Sequence, residues 1–138
     1  MKYFKIYELV DKKTYAIYGD EAWKFFNPEA LIALDDLREF FGCAITVNNW
    51  WDNKGTFQWR GYRTPEKAKE LGSPHSQHAI GNAFDCDIED YTAEDARDII
   101  VLNKDDPKLK RIMRLEDKVG WVHLDLLKVT DRIHLFKV

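Results

Sequence analysis

Cysteine is scarce: Cys43 and Cys86 are the only two in 138 residues, too few for a disulfide framework. Both stand among apolar neighbours, the usual setting of a buried free thiol. Proline (4) and glycine (7) are also sparse. No linker, repeat or low-complexity tract divides the chain, and a single domain over residues 1–138 is expected. No apolar run approaches the ~20 residues that a bilayer span requires, which argues against membrane insertion. The opening MKYFKIYELVDKK breaks its apolar residues with charges and lacks the continuous apolar core of a secretory signal, so synthesis in a cytoplasm is expected. An excess of positive charge is missing too: 21 Lys+Arg against 24 Asp+Glu leave a net −3. Chains that wrap nucleic acid are basic, so no nucleic acid partner is expected. A metal-dependent nuclease is disfavoured for the same reason, and because no basic stretch is interleaved with aromatics.

Aromatic residues, by contrast, are abundant (Trp 5, Tyr 6, Phe 8), and 45% of the chain is hydrophobic. Disorder requires the opposite composition, and a domain this long buries roughly 70% of its unfolded surface. The clearest helix runs from Pro28 to Phe41. Asn27 is its N-cap, Pro28 suits the first position, Leu31, Leu34, Leu37 and Phe41 form one stripe, and Gly42 ends it. Phe4–Val10 reads as a short helix or a strand, and Glu21–Phe26 as one or two helical turns. Ala44–Val47 reads as a strand and Asn48–Arg63 as a loop. Helices are expected at Thr64–Leu71, from the Thr92 cap to Leu102, and over Pro107–Leu115. Strands are expected at Asn82–Ile88, Trp121–Leu127 and Ile133–Val138. Helices and strands mix without strict βαβ alternation, which points to an α+β fold in which a small antiparallel sheet is packed with helices.

The chemistry concentrates in Ser76–Asp85, SQHAIGNAFD, and in a later WVHLD. Period-2 geometry puts Ala83, Asp85 and Asp87 on one face of their strand, and Trp121, His123 and Asp125 on one face of theirs. The opposite faces are apolar. Gly81 lets the chain turn so that His78 folds back over Asp85. Paired side by side, the two strands would converge His78, Asp85 and His123 on one point. Three N/O ligands with a vacant fourth position are the donor set of a catalytic zinc site, and Cys86 faces the wrong way to close it. Spacing alone leaves a second reading open, in which these are ordinary polar residues of surface and core.

The pattern Ser76-x-His78-x-x-Gly81-x-Ala83-x-Asp85, followed by Trp121-x-His123-x-Asp125, resembles the M15 family of zinc peptidases. That family includes D-Ala-D-Ala carboxypeptidases and dipeptidases and phage endolysins that cut peptidoglycan peptides. The hedgehog signalling domain shares its metal-site architecture. Arg60-Gly61-Tyr62-Arg63 matches three of the four residues of the family's Ser-Gly-Tyr-Arg, with Arg60 departing from the serine. The resemblance spans roughly Pro28 to Leu127 and implies one zinc ion held by His78, Asp85 and His123. Such an ion would lower the pKa of a bound water toward neutrality and polarise the scissile carbonyl.

Further roles follow from the resemblance. Arg63 would bind a substrate carboxylate or the developing oxyanion, with Tyr62 as a further substrate contact and Ser76 as a substrate contact or a brace for the loop. The family's acidic general base often stands three residues before the last histidine, where this chain has Gly120. Glu116 is therefore expected to be the base, with Asp117 as the alternative. Asp125 and Asp87, two residues from the ligands, would accept from ligand imidazoles or neighbouring groups. His75 and His134 read as a loop and a structural histidine. Trp50 and Trp51 would line a cleft or pack in the core. The implied function is hydrolysis of peptidoglycan stem peptides or cross-links by a monomer, which would act at the cell wall after phage-type release. The alternative, motivated by Gly120, is a non-catalytic zinc-containing binding module of the same architecture.

Overall fold

The computed structural model describes residues 1–138. Four helices, α1 (Lys12–Tyr18), α2 (Pro28–Phe41), α3 (Pro65–Glu70) and α4 (Ala93–Leu102), accompany five short strands. The strands are β1 (Ile45–Thr46), β2 (Ala83–Ile88), β3 (Arg114–Glu116), β4 (Val122–Asp125) and β5 (His134–Phe136). The fold is α+β, and the strand order is β1-β2-β4-β3-β5. The sheet is mixed rather than antiparallel, because β3 and β5 run parallel. No helix is long and apolar enough to cross a membrane.

Local chemistry sets the helix ends. The Asn27 side chain accepts from Glu29 N–H, and Gly42 closes α2 in the left-handed conformation at φ 67°. Thr64 and Thr92 accept from Lys67 and Asp95 N–H at the starts of α3 and α4, each satisfying an otherwise orphaned donor. The buried stripe of α2 is Ala30, Ala33, Leu34 and Leu37. Leu31 and Phe41 sit at its margin, partly buried against the core. Helix α1 was not expected. It is capped by Asp11, which accepts from Thr14 N–H, and buries only Thr14, so it carries no hydrophobic stripe. Phe4–Val10 and Glu21–Phe26 become 3-10 turns at Ile6–Glu8 and Gly19–Phe25.

One expected element is overturned. Residues Pro107–Leu115 do not form a helix: a 3-10 turn occupies Pro107–Leu109, and Arg114–Glu116 is strand β3. Leu115 is fully buried opposite Leu124, so pairing between two neighbouring strands outweighs the local helical pattern.

The strands separate two environments. Phe84, Cys86, Ile88, Leu115, Val122 and Leu124 point into a cluster of 23 buried residues. Helices α2 and α4 pack there against β2. Cys86 is a fully buried free thiol, while Cys43 is a free thiol only half-buried, donating to the Glu89 carbonyl. The opposite face of the sheet carries the polar residues.

Candidate metal centre

Strand register brings two of the three candidate ligands together. Asp85 of β2 lies directly opposite His123 of β4, and Ala83 opposite Asp125, so the side chains emerge on one face. The third, His78, sits in a 3-10 turn (Gln77–Ile80) whose first N–H groups need acceptors. Ser76 Oγ accepts from His78 N–H at 3.2 Å. Gly81 then reverses the chain into β2 at φ 67°, and a Cβ there would collide with the Phe25 carbonyl. Both constraints make glycine the fitting residue at this corner.

All three candidates are buried, and one ligand atom from each lies within 4.8 Å of the others. Asp85 is the hinge of the group. Its Oδ1 is 2.8 Å from His123 Nδ1 and its Oδ2 is 3.2 Å from His78 Nε2. Each imidazole is tethered from behind. His78 Nδ1 lies 2.9 Å from the Gly61 carbonyl, and His123 Nε2 lies 2.8 Å from Asp125 Oδ2. With a metal at the centre, an outward N–H on each ring would leave the inward nitrogen free to ligate it; otherwise the inward Nδ1 of His123 donates to Asp85. This pattern of tethered ring and inward lone pair is how histidine ligands are oriented toward metals. A buried group of His78, Asp85 and His123 can therefore hold a metal ion.

Electrostatics follow from the same contacts. Burial works against ionisation of Asp85, yet the neighbouring His78 and the hydrogen bond with His123 hold its carboxyl well below the usual range. Burial alone would lower the His123 pKa, but hydrogen bonds to Asp125 and Asp85 outweigh it and raise it to about 9. A protonated His123 donates to carboxylates from both ring nitrogens. Burial also opposes charge on Asp125, and its bonds with His123 and Arg114 keep it ionised. Asp125 is fully buried. It accepts from Arg114 Nε and Nη2 at 3.0 and 2.8 Å and from Leu127 N–H at 3.1 Å.

The remaining candidates divide. Arg63, Ser76 and Glu116 line the cleft of about 490 Å³ that opens onto the three ligands. Arg63 donates from Nη2 to Asp85 Oδ2 at 3.2 Å and from Nε to the Trp59 carbonyl at 2.8 Å. Asp117, one residue past Glu116, is turned away toward Arg97, 3.9 Å distant. Tyr62 does not face the cleft: it is buried and stacked on Phe25 at 4.8 Å between ring centroids. Its neighbour Gly61 presses against the Leu9 backbone, where a Cβ has no room, and that contact fixes the carbonyl that holds His78. Asp87 does not reach a ligand imidazole. It is exposed and pairs with Arg60 through two bonds of 2.9 and 3.1 Å.

His75 lies at the cleft rim, whereas His134 is exposed on β5. Trp50 and Trp51 are remote from the ligands. Their indoles donate to the Val10 and Asn48 carbonyls, and they cluster with Tyr7 and Tyr15. Arg114 and Phe136 escaped sequence reasoning. The Phe136 ring stands edge-on to His123 at 5.4 Å and lies 4.0 Å from the Arg114 guanidinium carbon. Reading β3 as helix hid that Arg114 and Glu116 share one face of a strand.

No family model, curated protein or solved structure matches this chain.

Proposed function

We propose that this chain is a zinc-dependent hydrolase of peptide bonds in bacterial peptidoglycan, acting on stem peptides or cross-links with a hedgehog/DD-peptidase-like fold. One observation carries the reading: the buried His78–Asp85–His123 group, with both rings tethered from behind, forms the floor of a cleft that also holds Glu116 and Arg63. The M15-like motif supports zinc over other ions and peptidoglycan over other peptides. Site of action at the cell wall, after phage-type release, belongs to the same proposal.

His78, Asp85 and His123 would hold the zinc, which when bound would supply a Lewis acid to acidify water and polarise an amide carbonyl. Glu116 accepts the proton of the attacking water as its oxygen bonds to the carbonyl carbon. It returns that proton to the amine nitrogen as the C–N bond breaks. The Arg63 guanidinium binds the carbonyl oxygen as negative charge grows there, or a substrate carboxylate beside it. Asp125, locked by Arg114, holds His123 in the orientation that ligation needs. Ser76 keeps the His78 turn in place and faces the substrate.

The test measures zinc by elemental analysis of protein purified without chelator. Zinc-loaded protein is then incubated with peptidoglycan, and the soluble products are identified by mass spectrometry. About one zinc per chain and release of peptide fragments are expected. Near-zero metal, or intact peptidoglycan with a fully loaded protein, would overturn the reading.

A further inference from the structure

The cleft does not stop at the ligands. A second hollow of about 410 Å³ adjoins the first and shares Arg63, Asp85 and Trp121 with it. Its own walls are Phe57, Trp59 and the Arg60–Asp87 pair. The two hollows differ in chemistry. The first offers His75, Ser76, Gln77, Arg114 and Glu116 beside the ligands. The second has two cations and two anions, and each is matched to another: Arg60 with Asp87 at 2.9 Å, and Arg63 with Asp85 at 3.2 Å.

Apart from Arg63 and Asp85, which it shares with the first cleft, the second hollow carries only the Arg60–Asp87 pair among its charges and offers mainly aromatic surface. Phe57 is 45% exposed and Trp121 38%. Arg60 lies against the Phe57 ring, its guanidinium carbon 4.5 Å from the centroid. The loop is anchored from beneath: Asn48 Oδ1 accepts from Arg60 N–H, and Asp85 N–H donates to the Arg60 carbonyl. Away from the Arg63 edge, a charged substrate group entering between Phe57, Trp59 and the Arg60–Asp87 pair would give up water without meeting an unpaired opposite charge. An aliphatic group would bury apolar surface at no such cost.

Resting on the hydrolase reading above, we infer that the Phe57–Trp59–Trp121 hollow binds an uncharged, aliphatic peptide segment of the substrate on the far side of the scissile bond. Substrate thus extends past the ligands in both directions. The bond cut is internal, not the one that releases a single terminal residue. Phe57 and Trp121 are the specificity-determining side chains of that hollow.

The experiment gives the zinc-loaded full chain two purified peptidoglycan fragments, a disaccharide pentapeptide and a cross-linked dimer, and identifies products by mass spectrometry. Cleavage at an internal bond is expected. Free terminal alanine as the sole new product would overturn the inference and leave the hydrolase reading standing. Absence of any product from a fully loaded protein would overturn both, and the two failures differ visibly in the chromatogram. Phe57→Ala should raise KM about tenfold with kcat little changed, the pattern of lost uniform binding. Phe57→Asp, which replaces the apolar wall with a carboxylate, should raise KM further. Zinc content and circular dichroism confirm that both variants fold. Unchanged KM in both would overturn the assignment.

Discussion

The two faces of one small sheet are built on opposite principles. On the buried side, Phe84, Leu115, Val122 and Leu124 pack without directional demands. Any residue of suitable size and apolarity serves there at modest cost. On the other side, Asp85, His123, Asp125 and Arg114 form a chain of directed bonds in which nearly every polar atom has a named partner. Removing one partner there strands another buried polar group, which costs more than the lost bond itself. The strands alternate between the two regimes every residue, so the core that holds the fold also sets the geometry of the site.

Substitutions on the two faces should therefore fail in different assays. The largest effect is expected from Glu116→Gln on the polar face: turnover of peptidoglycan should fall by about 100- to 10,000-fold, with zinc content and melting temperature unchanged. A loss of zinc would move Glu116 from proton transfer to structure. On the apolar face, Phe84→Ala should cost about 3–5 kcal/mol of stability in denaturant titration, while the zinc affinity of the folded fraction is retained. Asp125→Asn comes next. It leaves the backbone intact but weakens the tether on His123, and zinc affinity should fall by about 10- to 100-fold in a competition titration.

The fourth expectation concerns pH. In chelated protein the His123 pKa is raised to about 9, above its ordinary value of about 6.5. A raised folded-state pKa adds stability that is complete below about 6.5 and is lost as pH climbs through about 9. The chelated form should thus lose melting temperature over that interval. Zinc, which needs the neutral imidazole, should remove that loss and bind more weakly in acid. Equal slopes with and without zinc would remove His123 from the ligand set.

The same contrast explains what the sequence made legible. Helix α2 could be read to its ends because its cap, its proline, its stripe and its terminating glycine all agree. Helix α1 could not, since only Thr14 is buried and no periodicity marks it. Strand β3 was mistaken for helix because three residues are too few to show alternation, and their pairing partners lie elsewhere in the chain. Within the site, the convergence of His78, Asp85 and His123 was legible in the spacing, since strand register and one glycine turn point them toward one place. Tyr62 was misplaced because adjacency to Arg63 in sequence says nothing about which way a loop side chain turns; here it turns inward onto Phe25. Asp87 was misassigned because its position two residues past Asp85 put it on the correct face, yet Arg60 arrives from another segment to claim it.

The residues that hold His78 place an unexpected condition on assembly. Gly81 is pressed against the Phe25 carbonyl and Gly61 against the Leu9 carbonyl, and both of those carbonyls belong to the first 26 residues, which contribute no ligand. The N-terminal segment thus acts as a mould. Until it docks, the His78 turn and the Gly61 carbonyl have nothing to be cast against, and His78 cannot join Asp85 and His123 to complete the triad. Metal loading in refolding protein should then run as a late clock, keeping time with the closing of that segment rather than with formation of the sheet.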